Sequence, residues 1–295
     1  MNTEFWGSSG WLFLHTLTFI YPENPSYNDK VKIEQFMKTV SYILPCKYCR
    51  ASFNKYTQSL PITDFLDNRE KIIEWLYKIH NKVNKKLRSQ GLCRHKNPNL
   101  KDVKIQYKPI IDKINSLCNT KIKHNNTNTI KICINYICNL GKEFLGSIVF
   151  NYQGYFSNCH TQDEKLNIVI VYHTFFNSIM PLISSYVSKI STKCQQDISR
   201  HSIYLNTNFK IKNILIQNEA YSKLIKWFYK CNHLCTFNTK DETRTYEHYQ
   251  SYFKKHIVFS CNNPLTLKNN KKIIKSCRKK TIKLTKREYK QILIN

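Results

Sequence analysis

The chain has 295 residues, 41% hydrophobic and 13% aromatic, with only 6 Gly and 8 Pro. That composition excludes a disordered or low-complexity chain, and the length allows two domains of ordinary size. The formal charge of +28 is uneven, with +7 in residues 1–100 and +21 in residues 101–295. One reading is a surface that attracts nucleic acid, anionic membrane or acidic protein. The other is a Lys/Asn/Ile/Tyr-rich composition imposed by an A+T-rich genome, with the lysines solvated.

The stretch Trp11–Tyr21 is apolar, but no basic segment precedes it and it contains His15. It does not read as a signal peptide, and it is about half the length of a membrane span. A single glycosylation sequon, Asn125-Asn126-Thr127, carries little weight. The chain is therefore expected to be intracellular and soluble. Its 12 cysteines then need a reason, because stable disulfides are rare in the cytosol. They are buried thiols, or metal ligands, or part of a protein that itself makes disulfides.

In chain order, Trp11, Leu14, His15, Thr18 and Phe19 share one helical face, and Pro22 and Pro25 end that helix. A second helix is expected from about Ser26 to Leu44, with Val31, Ile33, Phe36, Met37, Val40 and Ile43–Leu44 as its apolar stripe; Pro45 breaks it. A third starts at Cys46–Cys49 and runs to about Tyr56. For the fourth, Asp67 with Glu70 resembles a capping box, and Ile72, Leu76, Ile79, Val83 and Leu87 repeat as a core-facing helix requires. Four amphipathic helices with short connections predict a bundle. No strand alternates with them, which counts against a thioredoxin-like setting for the CxxC.

The segment GLCRHKNPNLKD from Gly91 reads as a linker. Beyond it, Val103–Leu117, Ile130–Phe150, Glu164–Ser188, Ala220–Cys231 and Thr243–His256 are candidate helices, with a loop at 124–129. The expected class is all-α (mostly): residues 1–95 as one bundle domain and residues 96–295 as a second, basic, mainly helical domain. That second part shows no internal repeat and no known catalytic motif.

Cys46-Lys47-Tyr48-Cys49 follows Pro45, a residue suited to the first turn of a helix. A thiol at a helix N-terminus is stabilised as thiolate by the backbone dipole, and a low-pKa thiol leaves readily in disulfide exchange. A zinc site would need a second pair at suitable spacing. Cys93 and His95, the nearest candidates, do not supply it. Taken alone, the pair leaves redox, metal and no role open.

The neighbours add to this. Trp11 and His15 lie four apart on the first helix, and His80, Asn81 and Asn84 lie on the fourth. Each, taken singly, is more readily a core residue. Together, the order W-x3-H, P-C-x2-C, H-N-x-V-N-x-K-L within about 80 residues resembles the Erv/ALR family of FAD-linked sulfhydryl oxidases. The resemblance covers residues 5–90. It implies a bundle of four helices plus a short fifth that holds FAD near the CxxC. Trp11 and His15 would pack on the cofactor. His80, Asn81 and Asn84 would line its adenine and ribose end, and Lys86 would sit near the phosphates. Phe19 joins this set by helix geometry. His80 and Asn84 are i, i+4 and can address one ligand, and lysines 78, 82, 85 and 86 favour a diphosphate. No metal is expected.

The implied activity is disulfide formation in thiol-containing substrate proteins, with O2 reduced to H2O2. Cys46 would exchange with substrate, and Cys49 would face the flavin. A homodimer is implied as well. Together with the foreign C-terminal region, the pattern is that of a large DNA virus protein acting in the host cytoplasm, in the viral factory, and carried in the virion. Some features depart from the family. Ser8-Ser9-Gly10 stands where many members carry a basic residue, so the diphosphate end would be held differently. Tyr77 and Arg94 stand where cellular members have a structural disulfide. Cys231–Cys235 and Cys133–Cys138 are the only close pairs available as a shuttle, and buried thiols are the preferred reading of both. The alternative function is a basic nucleic-acid-binding or scaffold protein on an inactive bundle, supported by the charge of the C-terminal region.

Overall fold

A computed structural model describes residues 3–92, 95–119, 129–157, 161–190 and 251–253. Cys93, Arg94, the Cys231–Cys235 pair, the candidate helix at Ala220–Cys231, most of Thr243–His256 and the basic tail lie outside the described residues. The described residues form helices α1 (Thr3–Phe19), α2 (Tyr27–Ile43), α3 (Lys47–Ser59), α4 (Arg69–Ser89), α5 (Leu100–Asn119), α6 (Thr129–Leu140), α7 (Lys142–Ser157) and α8 (Gln162–Ile190). A 3₁₀ turn at Ile62–Phe65 precedes α4, and no strand occurs among them. The described chain is all-α.

The helix boundaries follow local chemistry. Ser26 caps α2 in a reciprocal capping box, its hydroxyl accepting from Asp29 N–H while the Asp29 carboxylate accepts from Ser26 N–H. Leu44 leaves the helical region, with ψ of 135°, as the residue before a proline prefers. The capping box expected at Asp67 and Glu70 does not form. Asn68 is the N-cap of α4, accepting from Lys71 N–H, while Asp67 pairs with Lys30 and Lys71. One residue decides this, because only Asn68 is close enough to the first free N–H groups. Gly91, at φ 69°, ends α4. Its N–H bonds to Arg88 O and the next, Leu92 N–H, to Leu87 O, the αL stop that glycine makes without steric cost.

The continuous helix expected over Ile130–Phe150 is broken at Gly141 into α6 and α7. A Cβ at Gly141 would lie 2.8 Å from the Phe13 side chain, so α1 and the α6–α7 junction approach too closely for any larger residue. The helix expected at Val103–Leu117 lies within α5, which runs from Leu100 to Asn119.

α1 is the central helix, and α4, α5, α6 and α7 all pack on it. From Phe13 to Thr18 every residue is buried. A helix apolar on all sides needs such enclosure. Phe13, Leu17, Trp75, Leu76 and Ile79 are fully buried, and each contributes about 1.5–3 kcal/mol by leaving water. α8 covers α2, with Phe175 stacked on Phe36 at 5.3 Å and Tyr186 edge-on to Tyr21 at 5.5 Å. The buried Asp29 carboxylate joins the same two helices through Ser185 Oγ and Lys189 Nζ. By length and composition alone, Asn167–Ile190 could cross a membrane, and about half of that window is buried in the core. One hydrophobic core therefore runs from α1 to α8 and takes in Phe253.

The Ser8-Ser9-Gly10 stretch, where the family resemblance weakens, is where α7 docks. Ser9 Oγ accepts the Phe144 N–H at 2.8 Å, so a side chain of α1 satisfies the first turn of α7. Gly10 lets the Phe144 ring approach, a Cβ there meeting it at 3.0 Å. A long basic side chain at Gly10 would occupy the space of that ring.

Candidate active site

Cys46 is the N-cap of α3. Its Sγ accepts the Cys49 N–H at 3.3 Å, so the sulfur fills the place that a serine or aspartate oxygen usually takes. Pro45 lies just outside the helix, one position before the cap. The junction is held from two sides. Arg50 donates to Leu44 O at 2.7 Å, and Asn151 of α7 donates to Pro45 O at 3.4 Å. Both sulfurs are partly buried against the core.

The two thiols are driven apart in acidity. The Cys49 thiol donates to Cys46, and with the backbone N–H groups of Cys49 and Tyr48 and the Arg50 charge it holds Cys46 near pKa 6, against the opposing cost of burial. Cys49 is pushed well above the ordinary range by that same hydrogen bond and by burial. The charges of Lys86 and Arg50 partly offset this. Lys86 comes from α4, and its Nζ donates to Ser52 Oγ at 2.6 Å. Ser52 lies one turn after Cys49, so the ammonium sits over the dithiol helix.

Trp11, His15 and His80 converge. The Trp11 and His80 rings stack at 3.8 Å with 9° between their planes, and His15 Nε2 lies 3.1 Å from His80 Nδ1. One histidine donates to the other, the tautomer being set by that contact. Burial lowers His15 to a pKa of about 3, helped by His80, and lowers His80 to about 4. Both rings are therefore neutral at physiological pH. The buried Nδ1 of His15 has no hydrogen-bond partner. Phe19 joins this trio through Tyr107 of α5, whose ring stacks on Phe19 at 5.0 Å and packs against His15 at 5.2 Å. Tyr107 is buried and was not among the residues expected at the cofactor site. Its only signal was its place on the apolar stripe that includes Val103 and Ile114.

Asn84 is turned elsewhere. Its amide donates to Asn97 Oδ1, which also accepts from Arg88. Asn81 lies half-buried one residue after His80. The Tyr77 hydroxyl donates to Pro98 O, tying α4 to the segment that leads into α5. Among the described residues, no group of three or more His, Cys, Asp or Glu side chains is placed to hold a metal ion.

Fold and site together define a helical bundle with a dithiol at a helix start and a buried aromatic–imidazole cluster on the two neighbouring helices. Residues 8–108 match the model of the Erv1/Alr family. The chain is 39% identical over 85 residues to a probable FAD-linked sulfhydryl oxidase of Acanthamoeba polyphaga mimivirus, covering 28% of this chain and 59% of that protein. Over 87 residues it is 37% identical to the mitochondrial FAD-linked sulfhydryl oxidase of Saccharomyces cerevisiae, covering 30% and 45%. Over 82 residues it is 32% identical to the FAD-linked sulfhydryl oxidase of African swine fever virus, covering 28% and 67%. The chain belongs to the Erv1/Alr family. It spans about half to two thirds of the length of these relatives. No solved structure matches it.

Proposed function

We propose that this chain is an FAD-dependent thiol oxidase that makes disulfides in substrate proteins. The observation that carries the reading is the Cys46–Cys49 dithiol at the start of α3, with Cys46 Sγ accepting the Cys49 N–H and Lys86 of α4 bonded to Ser52 one turn on. The residues present suit the cofactor. The Trp11–His80 stack offers a flat aromatic surface, the buried His15 Nδ1 makes no hydrogen bond within the protein, and Lys86 brings positive charge beside the dithiol. Trp11, His15 and His80 would pack on FAD, with Phe19 behind them through Tyr107. Asn81, Asn84 and Lys86 would bind its polar end, Asn84 after release from Asn97. Held by these residues, FAD would supply the electron acceptor for the reduced dithiol, with O2 as the terminal oxidant and H2O2 as the product.

The chain's own part is thiol–disulfide exchange. A substrate thiolate attacks Cys46 Sγ of the Cys46–Cys49 disulfide, and Cys49 leaves as a thiolate beside the charges of Lys86 and Arg50. A second substrate thiolate then attacks the substrate sulfur of the mixed disulfide. Cys46 leaves, and its low pKa makes it a good leaving group. The substrate departs oxidised, and the enzyme holds the dithiol.

Two of the relatives are viral, which supports a protein acting inside an infected host cell; the host cytoplasm and the virion are the places we propose. The homodimer implied by the family would use faces other than those that α7 and α8 cover on α1 and α2. Scattering at several concentrations reads its formation. The test of the activity is direct. The purified chain should be yellow, with a flavin absorbance band, and should consume oxygen with dithiothreitol. Cys49→Ser should keep the colour and lose the oxygen uptake. Colourless protein, or uptake that survives Cys49→Ser, overturns the reading.

A further inference from the structure

Outside the site just described, α5 and α6 bring two more sulfurs together. Cys118 lies in the last turn of α5 and Cys133 in the second turn of α6. Both are fully buried. Their Sγ atoms are 2.8 Å apart, well inside the contact distance of two unbonded thiols, and packing of the two helices holds them there. Cys138, also buried, follows on the next turns of α6. We propose that Cys118 and Cys133 are joined by a disulfide that ties α5 to α6.

The placement gives the bond a purpose. α5 carries Tyr107, which packs on His15 and Phe19, and α6 packs on the same central helix α1. The bond thus links the helix that closes the aromatic site to the C-terminal helices. Within the bundle, Tyr77, at the family-type staple position, is hydrogen-bonded to Pro98 O. A covalent tie lying later in the chain restrains the same helix from its other end.

Forming it removes two electrons and two protons from the two thiols. A protein disulfide is the acceptor, through a mixed disulfide, and becomes a dithiol. The Cys46–Cys49 disulfide of another copy has the right chemistry. Only this choice of acceptor rests on the proposed oxidase activity. With both sulfurs buried, the exchange precedes the closing of α5 on α6.

The full chain is opened in denaturant with excess N-ethylmaleimide and no reductant, then digested with trypsin and mapped by mass spectrometry. Cleavage after lysines 113, 121, 131 and 142 places Cys118 in peptide 114–121 and Cys133 with Cys138 in peptide 132–142. The expected product is these two peptides joined, two hydrogens lighter than their sum, with Cys138 carrying the maleimide. The joined product should persist in Cys138→Ser and vanish in Cys118→Ser. Maleimide on both Cys118 and Cys133, or a bond from Cys118 to Cys138, overturns the proposal. Flavin absorbance of the same sample is read separately. A colourless protein with the joined peptides refutes the oxidase reading and leaves the bond standing. A yellow protein without them does the reverse.

Discussion

The acidity of Cys46 is the most exposed consequence of the site. In the reduced protein it falls from an ordinary 9.0 to about 6. This corresponds to about 4 kcal/mol of preference for the thiolate. The largest single cause is the hydrogen bond from the Cys49 thiol. Cys49→Ala deletes that donor and leaves the α3 backbone N–H groups and Arg50 in place. Burial, which opposes the charge, then weighs more heavily. The midpoint of Cys46 ionisation should rise from near 6 to above about 7.5. At pH 6.5 the thiolate fraction drops from roughly three quarters to about a tenth. The assay is pH-dependent iodoacetamide labelling of the reduced protein, read by peptide mass. Lys47 separates the two cysteines on digestion, so each is scored alone. In the wild type, Cys46 should label with an inflection near pH 6, and Cys49 only at high pH. A wild-type inflection in the ordinary thiol range, or one that does not move in Cys49→Ala, would refute the assignment of roles to the pair.

Further outcomes follow from the same geometry. His80→Ala removes the ring stacked on Trp11 and the partner of His15, so the purified protein should keep its helical circular dichroism and lose most of its bound flavin. A full flavin complement would count against the aromatic cluster as the cofactor site. Asp29→Asn loses a capping carboxylate and the link to α8, and should cost about 1–3 kcal/mol in denaturant unfolding at neutral pH. Burial pushes the Asp29 carboxyl up, but its bonds to Lys189 and Ser26 outweigh this and hold it below its usual value. Its contribution is therefore present above the unfolded-state pKa and fades as the pH falls through the acid range. The gap between wild type and Asp29→Asn should narrow there. Gly146→Ala drives a Cβ to 2.1 Å from the Phe253 ring, a cost of about 1–3 kcal/mol in thermal unfolding. Phe253→Leu in the same chain should restore part of it. Reducing the proposed Cys118–Cys133 bond, which spans 15 residues, should lower stability by about 3 kcal/mol, visible as a lower melting temperature than in unreduced protein.

Much of the fold is legible along the chain. Pro22, Pro45 and Gly91 mark where helices stop, and the apolar spacing of α2 and α4 marks which faces go inward. These are contacts within about four residues, where helix geometry alone fixes who meets whom. Two local signals misled. Asp67 looked like a cap but stands one residue early, and the apolar run hid a break at Gly141, the glycine that lies against the Phe13 ring. Tyr107 carries no sign of this place in the chain, because its role depends on α5 lying across His15 and Phe19.

The sequence by itself determined that a dithiol stands at the start of a helix, and that tryptophan, histidine and asparagine recur at helical spacing before and after it. Those features depend on residue type and short separation. Tertiary structure alone decided that His15 and His80, 65 positions apart, share a contact and are held neutral by burial. It also decided that Lys86 lies over α3, that Ser9 and Gly10 receive α7, and that Cys118 meets Cys133. Each of these depends on packing between distant segments and on the exclusion of water, and neither has a local signature in the chain.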